Sequence, residues 1–285
     1  MNERLGARAP DAPQRRGTPP GSLRYFAVLF ATPARRASLH ALYALEAELR
    51  DTAASPNHEL AHTRLQWWRE EFALLADGRP RHPATLELAP VMAGRRGDHA
   101  LLQEMLVAAD LDLARFTYTD WRELEAYGQR AAGSLQEVIA GLLTATGALS
   151  ESQRQFARRL GSAVRQTEML RDVAQDMRRG LLYVPLDALT EAGLDPRSVA
   201  QQPADPALLR VLAEWRTRLA AELAALRGLL DGQERVRQRH GLVLAALHQR
   251  LLSGIAQSGA LDADRVEVPP LARLWTAWRA AIRSR

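Results

Sequence analysis

Residues Gln166 to Pro185, QTEMLRDVAQDMRRGLLYVP, constrain this chain most. Asp172 and Asp176 stand one helical turn apart, so both carboxylates leave the same face of a helix. Arg171 sits beside the first carboxylate, and Arg178 and Arg179 follow the second. Gly180 marks the end of that helix, and Tyr183 and Pro185 lead into a new segment. Two carboxylates at this spacing suit a hard cation such as Mg2+, which takes oxygen ligands, keeps several waters and is usually shared with a phosphate group. The same spacing also describes a solvated helix face of mixed charge. The rest of the chain has to decide between the two.

Helical periodicity runs along most of the sequence. Leu39, Leu42, Leu45 and Leu49 recur at three- and four-residue spacing, the mark of a buried helix face. Helices are expected over Leu60–Ala76, Ala84–Met92, Ala100–Ala114, Ala207–Leu230, Val236–Ser258 and Pro270–Ile282, with one or two more in Thr119–Gly147. Ser150, followed three residues later by Gln153, reads as a capping box that opens the central helix. Gly78–Pro83 reads as a turn and Gly94–Asp98 as a polar break. Gly193–Pro206 is a loop and a weak candidate hinge. No pair of strand-like segments occurs, so the expected class is all-α, a single multi-helix domain over residues 21–285. Residues 1–20, rich in Arg, Pro, Gly and Ala, read as a disordered tail.

The cations are all arginine, and the formal net charge is +5. Guanidinium forks suit phosphates and carboxylates. This charge is too small to argue for nucleic acid, and no nucleic-acid motif is present. The chain has no cysteine, so disulfides and thiolate metal sites are excluded. No run of about 18 apolar residues occurs, and the N-terminus lacks the apolar core of a signal peptide. The expected location is the cytoplasm, with peripheral contact at the inner membrane as an option.

The central stretch resembles the second aspartate-rich motif of the squalene and phytoene synthase family: a Gln, an RD-x-x-x-D core, then a Gly, a Tyr and a Pro. Here these are Gln166, Arg171, Asp172, Asp176, Gly180, Tyr183 and Pro185. Ser22 to Tyr43 resembles the family's opening helices, through Pro33, Arg36, Ala41, Leu42 and Tyr43. Leu124 to Ser134, with Tyr127, Ala132 and Gly133, resembles the helix that lines the family's pocket. The resemblance implies an isoprenoid-synthase bundle around a deep central cavity. It also implies Mg2+ on two facing aspartate motifs and condensation of prenyl diphosphates, the metal acting as a Lewis acid in a solvent-excluded site. Asp172 and Asp176 are then the metal ligands, and Asp172, Asp176 and Asp51 the catalytic carboxylates. Arg36, Tyr43, Arg50, Tyr127, Gln166, Arg171 and Tyr183 are the expected substrate contacts. NADPH is a further option that the family allows and no residue pattern in the sequence supports.

The first aspartate motif departs from the family pattern. Where D-D-x-x-D is expected, the chain reads Arg50, Asp51, Thr52, Ala53, Ala54, and the preceding family Arg aligns with Ala47. A guanidinium at position 50 repels Mg2+. Glu46 and Glu48 are near, but Glu48 faces another side of the helix. Alternatively, Arg50 binds a diphosphate oxygen directly. The following Arg64–Arg69 stretch with its Trp67-Trp68 pair, and then Gly78, His82 and Pro83, resembles a proteobacterial branch of the family. It also resembles mitochondrial relatives that assemble respiratory complex I. Two further readings therefore stand beside the prenyltransferase: a catalytically silent assembly factor for a membrane respiratory complex, and a protein that holds an isoprenoid or lipid without turnover.

Other candidates have structural readings. Of Trp67 and Trp68, one is expected as a core anchor and one as its half-buried neighbour. His82 is expected as a turn or capping residue. His40, His58 and His62 do not form a metal set. Trp275 and Trp278 are expected to seal the core.

Overall fold

The computed structural model describes residues 16–144, 147–258 and 266–284. Among them every regular element is helical. The chain runs α1 (Leu23–Leu29), α2 (Arg36–Ala53), α3 (His58–Ala76), α4 (Pro83–Met92), α5 (Arg96–Leu113), α6 (Trp121–Gly128), α7 (Ser134–Leu143) and α8 (Glu151–Arg178). It continues with α9 (Leu186–Glu191), α10 (Pro206–Ala225), α11 (Gly232–Arg237), α12 (Arg239–Ser258) and α13 (Pro270–Arg283). No helix among the described residues is long and apolar enough to cross a membrane.

The local signals set the helix ends. Ser150 and Gln153 form the capping box of α8. At its other end Gly180 has φ +78°, and the Leu181 and Gly180 amides reach the Asp176 and Met177 carbonyls at 2.9 and 3.0 Å. This is the paired-bond ending that a left-handed residue allows. His82 caps α4, accepting from the Ala84 amide. Trp68 is buried and Trp67 half-exposed beside it.

Several expectations are corrected. Residues 96–98, read as part of a polar break, form the first turn of α5, held by Arg95 Nε on the Asp98 carboxylate. The helix expected to run to Leu230 ends at Ala225 and tightens into a 3-10 turn over Leu226–Leu229. Trp275 and Trp278 do not seal the core; they are 57% and 46% exposed. Of the expected tail, residues 1–15 lie outside the described residues. Residues 16–20 pack on α2, where Thr18 is buried with its hydroxyl 2.5 Å from His40 Nδ1.

Helix α8 is the axis of the molecule, about 42 Å long at 1.5 Å per residue. Its middle, Leu160 to Leu170, is buried all round. Two apolar clusters meet along it. One joins α8 to α10 and α12; the other joins α2, α3, α4, α5 and α7. Between α6 and α7 the chain widens into a π-helical segment, Gln129–Gly133. Glycines let this segment lie backbone to backbone on α8. A Cβ at Gly161 would overlap the Ala132 carbonyl, and one at Gly133 would stand 2.9 Å from the Arg158 oxygen. Gly161→Ala is expected to lower stability by about 1–3 kcal/mol through overpacking, read as a reduced urea midpoint. An unchanged midpoint would mean that the two backbones are not in contact.

Candidate functional site

The seam between the two apolar clusters is charged. Arg24 of α1 donates to Glu46 of α2 at 2.5 Å and to Glu168 of α8 at 3.1 Å. Arg50, one turn beyond Glu46 on α2, donates to Glu168 at 2.7 Å. Burial opposes the charge on Glu168, yet Arg24 and Arg50 hold its carboxyl well below the usual carboxylate range. Burial likewise opposes the charge on Arg24, and Glu168 and Glu46 keep it protonated. His248 of α12 places Nε2 4.0 Å from Glu168, while its Nδ1 donates to the Leu244 carbonyl.

Outward from this network lies a pocket of about 460 Å³, bounded by α1, α2, α8, α12 and the start of α13. Arg16, Arg24, Arg50, Arg171 and Arg273 line it, with Asp51, Glu168 and Glu267. Each arginine is engaged by a carboxylate. Arg171 grips Asp172 with both Nε and Nη2, at 2.7 and 2.5 Å. Arg16 bridges Glu48 and Asp51 at 2.8 and 2.9 Å, and Arg273 holds Glu267 at 2.7 Å.

Inward from the network the space is small, about 20 Å³, bounded by Glu46, Arg50, Asp112, Tyr127 and Arg165 among others. That is room for about one water. A polar cluster closes it. Tyr127 and Tyr183 donate to Asp112 at 2.7 and 2.8 Å, and Arg165 lies 2.9 Å from the Tyr127 hydroxyl and 3.2 Å from Tyr183. Burial raises both tyrosines above the usual phenol range, so they serve as donors.

The expected site residues are therefore spread over several surroundings. Arg50, Asp51 and Arg171 line the outer pocket, and Asp172 adjoins it through Arg171. Asp176 follows one turn on and is partly buried. Tyr127 faces the inner space, and Tyr183 joins it in the Asp112 cluster. Gln166 turns to the far side of α8, where it accepts from Trp215 Nε1 at 2.9 Å. Tyr43 is fully buried between Gln136 and His240. Arg36 closes the end of α1 on the Leu29 and Ala31 carbonyls. Sequence reasoning did not single out Arg24, Glu168, Asp112 and Arg165. Glu168 carried a readable signal: it precedes Asp172 by the same spacing that separates Asp172 from Asp176.

The α8 face offers the hard oxygen donors that Mg2+ takes, two carboxylates one turn apart. The facing helix offers no matching set. Arg50 is committed to Glu168, and Asp51 is 59% exposed and paired with Arg16. Among the described residues, no group of three or more His, Asp or Glu side chains could hold a metal by itself. The α8 pair thus fits one cation completed by ligand oxygens and water, and the surroundings do not fit a symmetric two-sided cluster.

The helical order and the arginine-lined mouth define an all-α bundle of the isoprenoid-synthase type. It resembles the squalene synthase HpnC from Alicyclobacillus acidocaldarius, with TM-score 0.73 and 20% identity over 86% of this chain and 92% of that one. It also resembles a dehydrosqualene synthase solved in complex with a ligand, with TM-score 0.75 and 18% identity over 91% and 90%. Residues 20–272 match the squalene/phytoene synthase family, and the chain belongs to it. Among sequence relatives, phytoene synthase 2 of Zea mays is 27% identical over 215 residues, 74% of this chain and 52% of that protein. Phytoene synthase 1 of Arabidopsis thaliana is also 27% identical over 215 residues, 74% and 49% of the two chains. The chain spans about half the length of these plant relatives.

Burial, assisted by Asp172 and opposed by Arg165, pushes the Asp176 carboxyl up to about 6. An ordinary aspartate titrates near 4, so this group favours the folded state only when protonated. Its penalty is absent below about pH 4 and complete above about pH 6. Asp176→Asn is expected to raise stability at about pH 8 by on the order of 1–3 kcal/mol and to change little near pH 4. Urea midpoints at the two pH values check this; an equal effect at both would remove the burial penalty.

Proposed function

We propose that this chain binds a prenyl diphosphate at the outer pocket and acts on it as a prenyltransferase of the squalene/phytoene synthase type, with Mg2+ on Asp172 and Asp176. The observation that carries this is the intact acidic pair of α8, whose Asp172 is gripped by Arg171 of an arginine-lined pocket of about 460 Å³. Bound Mg2+ would neutralise diphosphate charge and favour its departure. Arg171 would pass from Asp172 to a phosphate oxygen as Asp172 turns toward the cation. Arg50 would exchange Glu168 for a second oxygen, supplying from α2 a charge that carboxylates there do not provide. Leu23, Leu251 and Val266 give the pocket the apolar edge that a prenyl chain would contact.

A second reading is favoured by a different observation. The four seam charges neutralise each other, and the space inside them is about 20 Å³. Drug-sized ligand sites enclose about 300–1,000 Å³. A protein with so little room beside its seam would serve through its surface, as the assembly-factor resemblance suggests.

Calorimetric titration of a non-hydrolysable farnesyl diphosphate analogue, with and without Mg2+, separates the two. The proposal expects binding that needs Mg2+ and weakens at least about tenfold in Asp172→Ala/Asp176→Ala, since one lost charge-assisted contact costs about 1.5–3 kcal/mol. Absence of binding to the wild type at millimolar ligand would sink the prenyltransferase reading. The silent reading would then be tested by affinity capture from solubilised membranes, with respiratory-complex subunits as the expected partners.

A further inference from the structure

Helix α13 is turned inside out. Its small residues Ala277 and Ala281 are buried against α12 and α1, while Leu271, Leu274, Trp275, Trp278 and Ile282 are 44% to 82% exposed. At the helical advance of about 100° per residue these five fall on one stripe about 100° wide. The two indoles stack within it, ring centroids 5.0 Å apart. Arg279 and Arg283 stand exposed along one edge of the stripe, and no acidic residue follows Glu267. The other exposed large apolar residues stand singly on their helices or loops, except Leu60 and Trp67, two turns apart on α3.

Few covers fit this face. Residues 1–15 and 259–265 contain no aromatic residue, and Met1, Leu5 and Leu261 are their only large apolar ones. A second copy laid antiparallel would bring the arginine edges of two identical stripes together. A helix of 14 residues, about 21 Å long, also offers much less than the roughly 1,200 Å² of a stable interface. A lipid surface meets each feature. Indoles prefer the headgroup boundary, aliphatic chains enter just below it, and flanking arginines pair with lipid phosphates. With no acidic residue in the helix, an anionic leaflet is the complementary one.

We propose that α13 docks this protein on an anionic membrane surface, with Trp275, Trp278 and Leu271 in the headgroup–acyl boundary and Arg279 and Arg283 on lipid phosphates. The helix lies on the bilayer and does not cross it. Val268, just before the helix, and Arg273, on its side away from the stripe, line the outer pocket, so α13 itself stands between that pocket and the lipid. The docking surface does not depend on what the pocket binds.

The test is flotation of the full chain with vesicles of phosphatidylcholine alone and of phosphatidylcholine with about one third phosphatidylglycerol. The wild type is expected to float with the anionic vesicles. Trp275→Ser/Trp278→Ser is expected to lose at least about tenfold in partitioning, with an unchanged circular-dichroism melt. Arg279→Glu/Arg283→Glu alters only exposed positions, keeps the apolar stripe, and is expected to lose binding to the anionic vesicles. Wild type that stays in solution with both vesicle types overturns the proposal, as does a folded tryptophan variant that floats like the wild type. Self-association of a non-floating wild type, lost in the tryptophan variant, would reassign the stripe to a contact between copies.

Discussion

The contact on which the rest of the site depends is the reach of Arg24 across the seam. One guanidinium ties Glu46 of α2 to Glu168 of α8, helices that belong to different apolar clusters. Arg50 completes a set of two cations and two anions. Taking four charges out of water is expensive, and a buried pair of good geometry about breaks even against apolar residues of the same volume. Removing one member is different, because it strands an opposite charge and costs about 3–5 kcal/mol. The network therefore fixes how the halves meet more than it adds to stability. It also sets the terms for any anionic ligand: an oxygen that approaches Arg50 or Arg24 meets a guanidinium already paired with Glu168 or Glu46 and competes with those carboxylates.

The same logic explains why a reversed charge at position 50 is accommodated. Arg50 alone at the seam would be an uncompensated cation against Arg24 and Arg171. Glu168 lies within reach of Arg24 and Arg50, and Arg171 contributes to holding its carboxyl ionised. Asp172 is gripped by Arg171, and Asp176 stands in an environment that resists its charge. Along one face of α8 the carboxylates pass from fully compensated to penalised, Glu168 to Asp172 to Asp176. A penalised carboxylate at the end of such a series is the position where an added cation gains most.

What could be read from the sequence was what is decided locally. The capping box at Ser150, the stop at Gly180, the cap at His82 and the division of labour between Trp67 and Trp68 each depend on neighbours a turn or two away. The partners of the site residues do not. Glu168 meets an arginine 144 positions earlier in the chain, and Tyr43 meets a histidine 197 positions later. Nothing local distinguishes Arg24, which enters the seam, from Arg36, which closes a helix end. The last helix failed for another reason. Its pattern shows two faces, one of alanines and one of tryptophan, leucine and isoleucine, and the rule that large apolar residues go inside selects the wrong one. Close approach to α12 and α1 requires the small face.

These pieces join at the start of α13. Arg273 donates to the Gly21 carbonyl at 2.6 Å and to Glu267 at 2.7 Å. Gly21 precedes Ser22, whose hydroxyl caps α1 by accepting from the Tyr25 amide at 3.1 Å. Two residues after that cap comes Arg24. A continuous run of hydrogen bonds and one helical turn thus connects the exposed tryptophan helix to the charged seam, along the wall of the outer pocket. The pocket, the seam and the surface helix are held by one short piece of chain, so the position of α13 and the position of Arg24 are set together. In a fold whose halves meet on four mutually neutral charges, that piece of chain gives a change at the surface a direct route to the seam.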